Sequence, residues 1–218
     1  MAHGRAGRRV PRPARGGIRR IDVADSNDSR DRLSRVVTRS GDRGETGLAD
    51  GQRLAKEALA IELLGELDEL NARLGSLSVA LTDESDALSF VREQQQAVFD
   101  LGGFVAMGEM AAASQLPSLD RLDDWIEAAN RELPPLKEFI LPGGTEAMAR
   151  AHLVRTGTRR VERLAWAWCH EVDDAERGGE RAALATYLNR LSDAWFVFAR
   201  RLDPAGEHTV YWRGSAPG

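Results

Sequence analysis

The sequence predicts an all-α domain with a glycine-rich N-terminal arm, built from four long helices and one short one. Three observations carry that expectation. Leucines recur at Leu63, Leu67, Leu70, Leu74 and Leu77, with spacings of four, three, four and three, which places them on one helical face. Leu184, Leu188, Leu191, Trp195, Phe198 and Leu202 repeat the pattern near the other end. Between and beyond these stripes no alternating strand pattern follows residue 40.

Taken in order, residues 33–50 read LSRVVTRSGDRGETGLAD. Val36 and Val37 open an extended piece that runs into a loop carrying Gly41, Gly44 and Gly47. A first helix is expected over roughly residues 53–80, with Lys56 on its first turn. A second spans 84–113, with Val91, Val98, Leu101 and Val105 inward and the pair Gly102-Gly103 as a kink or a point of close packing. A short third helix carries Leu119, Leu122, Trp125 and Ile126 and stops near Pro134-Pro135. After the break FILPGG, Thr145 caps a fourth helix that runs to about residue 174. Its apolar side uses Leu153, Val161, Leu164, Ala165 and Trp168. The stretch DDAERGGE is a turn, and the fifth helix covers about 180–203.

Composition bounds the function. Of 218 residues, 42% are hydrophobic and 29% charged, a balance that supports a packed core. No apolar run reaches the roughly 18 residues of a membrane span. Cys169 is the only cysteine, so an internal disulfide and a thiolate zinc cage are both excluded within one chain. That usage fits a reducing cytoplasm. The net charge of -4 conceals an asymmetry: residues 1–20 hold seven arginines and no acid, leaving the remainder near -11. This basic stretch, rich in Gly and Pro, reads as a disordered extension over 1–32. It lacks the aromatics and scaffold of a specific nucleic-acid binder, and it lacks the apolar core of a secretory signal.

Five places offer chemistry. In TRSGDRGETGL, residues 38–48, small residues let backbone N–H groups converge on an anion, with Arg39, Arg43 and Lys56 nearby. Neither a P-loop nor a dinucleotide fingerprint is present, so from spacing alone the stretch is a surface turn or a phosphate loop. Gly65, Asp68, Ala72 and Gly75 share one side of the first helix. Asp68 there is either a solvated carboxylate or one partner of an ion pair. In HLVRTGTRRVER, Arg155 and Arg159 lie one turn apart and Glu162 and Arg163 follow. Guanidinium forks suit phosphate or carboxylate, and a solvated face is the alternative. Asn189 in YLNRLSD could orient a ribose or base. Phe139 in FILPGG is a loop anchor or a wall for a flat ligand. Gly157 in helix 4 costs about 1 kcal/mol against alanine. No nucleophile triad and no metal-ligand pairing accompany His152, and no metal-ligating side chains are assigned.

Five blocks in one order, TRSGDRGETGLADGQRLAK (38–56), GELDELNARLG (65–75), FILPGG (139–144), HLVRTGTRRVER (152–163) and YLNRLSD (187–193), resemble the PduO-type ATP:cob(I)alamin adenosyltransferases. The resemblance spans nearly everything after residue 37. It implies a ferritin-like five-helix bundle over 33–204, with a tail at 205–218, that assembles as a homotrimer with ATP at each subunit interface. It implies transfer of the 5'-deoxyadenosyl group of ATP to cob(I)alamin, releasing triphosphate. A non-catalytic corrinoid or nucleotide carrier of the same fold is the alternative. Thr38, Arg39, Ser40, Gly41, Thr46, Gly47, Lys56, Arg159, Arg160, Glu162, Arg163 and Asn189 fall on the family's nucleotide positions, with magnesium accompanying the phosphates. Asp68 and Arg155 match a salt-bridged pair across the interface. Phe139 matches the aromatic beneath the corrin ring that helps displace the lower axial ligand. A reductase or flavin donor supplies the cob(I)alamin, and an adenosylcobalamin-dependent mutase is an implied recipient of product. Ser40 stands where threonine is usual, and Gly157-Thr158 replaces an apolar residue and cysteine.

Overall fold

Both leucine stripes are inward faces of long helices in the computed structural model, which describes residue 1 and residues 39–81, 85–172 and 175–214. Helix α1 spans Leu59–Ala80, α2 Ser85–Ala106, α3 Leu119–Arg131, α4 Glu146–Cys169 and α5 Ala175–Arg201. Leu63, Leu67, Leu70, Leu74 and Leu77 are at most 2% exposed, as are Leu184, Leu188, Leu191, Trp195 and Phe198. Each such side chain contributes about 1.5–3 kcal/mol by leaving water.

Side-chain ties fix the helix directions. Arg160 meets Glu66 and Glu69, Arg73 reaches the Leu153 carbonyl, and Arg150 reaches Ser76, so α1 and α4 run antiparallel. Asn189 donates to Glu162 and Arg181 to the Trp168 carbonyl, which sets α5 antiparallel to α4. Asn71 and Gln95 exchange bonds between α1 and α2. Phe90 stacks on Trp125, centroids 3.8 Å apart, and meets Trp195 and Phe198. That aromatic cluster seats α3 against α2 and α5.

Several boundaries differ from the sequence expectation. Helix α1 begins at Leu59, not near 53, because Arg53–Ala55 is a strand (β2) paired antiparallel with Glu45–Gly47 (β1). Lys56 therefore sits in the turn before α1. Helix α2 stops at Ala106. Gly108 there has φ +54, a conformation that breaks a helix, and two 3-10 turns, Gly108–Met110 and Ala113–Gln115, replace its expected last turns. Helix α5 starts at Ala175 and takes in Gly178 and Gly179, which were expected in a turn. Leu153, expected inward, is 57% exposed, and Val154 is buried in its place.

Two further short strands, Ile140–Leu141 (β3) and Val210–Tyr211 (β4), pair antiparallel. Residues 205–211, expected as a tail, thus return to the loop that carries Phe139. The basic extension lies outside the described residues.

Candidate functional site

The small-residue arm is a hairpin tied to one end of the bundle. The Lys56 N–H donates to the Gly44 carbonyl, 2.8 Å, and the Ala49 N–H to the Ala106 carbonyl, 2.9 Å. Arg53 pairs with Glu45 at 3.2 Å and also donates to the Ser40 carbonyl. Inside this frame the Lys56 ammonium lies over Gly41: a Cβ there would fall 3.1 Å from Nζ. Arg39 takes φ +59 and Gly44 φ +84, and the Asp42 and Gly44 N–H groups close turns onto the Arg39 and Gly41 carbonyls. Thr46 and Gly47 lie on β1. Thr38 is outside the described residues.

Helix α4 carries the cations. Thr145 caps it by accepting from the Met148 N–H, 3.3 Å. Arg155, Arg159 and Arg163 follow at one-turn intervals, about 6 Å apart along the axis. Arg159 and Arg163 are exposed, and Arg163 donates to the Arg159 carbonyl at 3.2 Å. Glu162 accepts from Asn189 at 2.9 Å, so these two sequence-predicted positions meet. Arg160 points elsewhere: Glu66 and Glu69 hold it at 2.6 and 2.8 Å. Burial opposes its charge, but the two carboxylates outweigh this and raise its pKa. The Arg73 and Arg160 bonds in turn lower that of Glu69. This cluster fastens α1 to α4.

Arg155 faces the opposite end of the row. With Phe139, Leu136, Ile140, Phe196 and Trp212, and with the charged Lys137 and Glu138, it lines a cavity of about 580 Å³. Phe139 is 79% exposed, and its ring meets Trp212 edge-on with centroids 6.3 Å apart. Burial first, then the neighbouring Arg159 charge, lowers the Arg155 pKa, and its buried Nε makes no hydrogen bond among the described residues. His152, one turn earlier, is buried beside Phe196. Desolvation, then Arg155, holds its imidazole below the usual value.

Asp68 stands apart. It is exposed on α1, at the edge of a groove of about 330 Å³ lined by Leu64, Leu67, Phe99, Gly102 and Gly103. Among the described residues no ion pair joins it to Arg155. Sequence patterning did not single out Phe196, Trp212 or Asp203, the last a buried carboxylate just past α5 that accepts from Glu207, His208 and Thr209. The run DPAGEHTVYW held a signal for Trp212 and Asp203: a Pro/Gly turn followed by β-branched and aromatic residues.

Fold and site together define an α-helical bundle with a small-residue arm at one end, a row of arginines along α4 and an aromatic-walled cavity at the other end. A cobalamin adenosyltransferase family model matches residues 36–202. The chain is 43% identical over 183 residues to the cobalamin adenosyltransferase of Cupriavidus metallidurans, covering 84% of this chain and 96% of that protein. It is 37% identical over 187 residues to the corrinoid adenosyltransferase of Mycobacterium tuberculosis, covering 83% and 94%. Among solved structures, a variant PduO-type ATP:corrinoid adenosyltransferase from Lactobacillus reuteri, complexed with cobalamin and ATP, matches with TM-score 0.72 and 27% identity over 84% of this chain and 98% of that one. This chain belongs to the PduO-type cobalamin adenosyltransferase family.

Proposed function

We propose that this chain transfers the 5'-deoxyadenosyl group of ATP to cob(I)alamin on the surface that α4 presents between the arm and the Phe139 cavity. The carrying observation is the single row Arg155–Arg159–Arg163, which joins a cavity walled in part by Phe139, Phe196 and Trp212 to exposed cations. The nucleophile is the cobalt(I) electron pair. It attacks C5' of ATP, the C5'–O bond breaks, and the electron pair leaves with triphosphate. The chemistry needs no side-chain base. It needs alignment of C5' with cobalt and stabilisation of charge on the departing phosphates.

The arm and Lys56 bind the triphosphate, with Arg159 and Arg163 as charge partners. Asn189, oriented by Glu162, positions the ribose. Phe139 presents an apolar ring with no donor atom to the lower face of cobalt. Without an axial donor the orbital that takes the added electron is lowered, so cobalt(II) is easier to reduce. Magnesium adds charge neutralisation at the phosphates. Among the described residues no group of three His, Cys, Asp or Glu side chains is arranged to hold a metal; magnesium beside a triphosphate ordinarily takes phosphate oxygens and water as ligands.

Assembly completes the site. The Asp68 groove exposes Phe99 at 66%, and Arg155 keeps a buried Nε without a partner. A second copy that brings its Arg155 to Asp68 covers the first and satisfies the second. We assign this contact to a closed homotrimer with ATP between neighbours. A reductase or flavin donor supplies the electron in the cytoplasm, and an adenosylcobalamin-dependent mutase receives the product. No helix among the described residues is long and apolar enough to cross a membrane.

Purified protein mixed with ATP, magnesium and chemically reduced cobalamin forms adenosylcobalamin, followed by the corrinoid absorption spectrum. Folded protein that binds both substrates without that spectral change establishes the non-catalytic carrier instead.

A further inference from the structure

Phe139 is exposed and sits in a loop, so something outside that loop must hold it. Its carbonyl accepts the Trp212 N–H at 2.7 Å, and β4 pairs with β3 directly after it. The backbone of residues 210–212 therefore clamps the Phe139 backbone. What places residues 210–212 is Asp203, just past the end of α5. It is 8% exposed. One carboxylate oxygen accepts the Glu207 N–H at 2.9 Å, and the other accepts the His208 N–H at 3.0 Å and the Thr209 hydroxyl at 2.7 Å. Gly206, at φ +73, donates to the Asp203 carbonyl and closes the turn. The His208 carbonyl then passes Gly144, where a Cβ would stand 3.3 Å away. Arg200, on the last turn of α5, donates to the Pro134 carbonyl on the other side of the same loop.

From this chain of contacts we propose that Asp203 is a positioning residue for Phe139: it folds residues 204–209 into a turn that delivers β4 and the Trp212 N–H to the Phe139 carbonyl. It touches no substrate and acts only through the strap. Burial disfavours the Asp203 carboxylate, but the Thr209, His208 and Glu207 bonds outweigh that and lower its pKa. The carboxylate form is thus the one that organises the turn. Three charge-assisted bonds converge on one side chain, each stronger than a bond between neutral groups. The functional half of the inference rests on the proposed role of Phe139 in keeping the lower cobalt face free of donors.

The test uses the full chain with Asp203→Ala, and Thr209→Val as a milder change. Hydrogen–deuterium exchange across residues 139–141 and 206–212 reads the strap. Turnover is started separately from cob(II)alamin with a reductant and from prereduced cob(I)alamin. With far-UV circular dichroism and ATP binding as in the parent, Asp203→Ala speeds exchange in both segments. It slows the cobalt(II) reaction about tenfold and the cobalt(I) reaction less than about twofold. Thr209→Val, losing one bond, slows the cobalt(II) reaction about threefold and decides the matter if Asp203→Ala does not fold. Unchanged exchange, or equal losses from both cobalt states, overturns the inference. If the parent protein makes no adenosylcobalamin, the adenosyl-transfer reading fails instead, and exchange alone decides whether Asp203 holds the Phe139 loop.

Discussion

Gly157→Ala sets two opposing effects against each other on the helix that carries the arginines. Gly157 is buried on α4 between Arg155 and Arg159. Replacing a helix-interior glycine by alanine gains about 1 kcal/mol, mostly by restricting the unfolded chain. Burying the new methyl adds up to about 0.8 kcal/mol. Against this, the methyl would stand 3.3 Å from Arg73 Cδ, inside the roughly 3.5–4.0 Å optimum for carbon pairs. Arg73 must yield by a few tenths of an ångström. It is a flexible side chain, bonded to Glu69 and to the Leu153 carbonyl. Losing the carbonyl bond costs about 1 kcal/mol, and the (i, i+4) ion pair about 0.3–0.5 kcal/mol. Even the full loss roughly equals the gain, and a small shift keeps most of both bonds. The expected result is stabilisation between zero and about 1.5 kcal/mol. For a chain of this length, each kcal/mol raises Tm by about 2–4 °C. Urea unfolding followed by tryptophan fluorescence, at fixed protein concentration, measures it. Destabilisation beyond about 1 kcal/mol would mean that Arg73 cannot move and that the α1–α4 seam is rigid there, refuting the argument.

Phe139→Ala leaves stability within about 0.5 kcal/mol, because the ring is mostly exposed. It slows turnover from cob(II)alamin more than from cob(I)alamin, and equal losses in parallel assays count against the assigned role. Asp68→Asn and Arg155→Ala each slow turnover at least about tenfold alone. When the two variants are co-expressed, activity returns, because in the proposed assembly mixed oligomers contain an interface with both native residues; activity no higher than that of the separate variants places the pair elsewhere. His152 gives a pH signature. Its pKa is lowered in the fold by burial and then by Arg155, so below about pH 6.5 the unfolded chain binds a proton that the folded chain does not. Stability therefore falls as pH falls through that window. His152→Gln flattens the fall, and identical urea midpoints for both proteins across the window contradict it.

Local patterning made the helices legible. Leu63 to Leu77 and Leu184 to Phe198 repeat with a period only a helix satisfies, and burial followed that period. The same logic failed where a neighbour competed for the backbone. Arg53–Ala55 continues a helical pattern in sequence, yet pairs with Glu45–Gly47. Leu153 counts as apolar on a wheel, yet the packing of α1 on α4 turns it outward.

Residue type and short-range spacing suffice to specify the bundle, the small-residue arm and the order of the arginines along α4. The surroundings of each arginine are instead a matter of tertiary structure. Arg160 is drawn to Glu66 and Glu69, while Arg159 and Arg163 are left exposed. Tertiary structure alone joined Asn189 to Glu162, set Asp68 apart from Arg155, and brought Asp203 and Trp212 to Phe139, more than sixty residues away in sequence. Such meetings arise from helix crossings and strand returns, and their energy lies in contacts between segments that no local window contains.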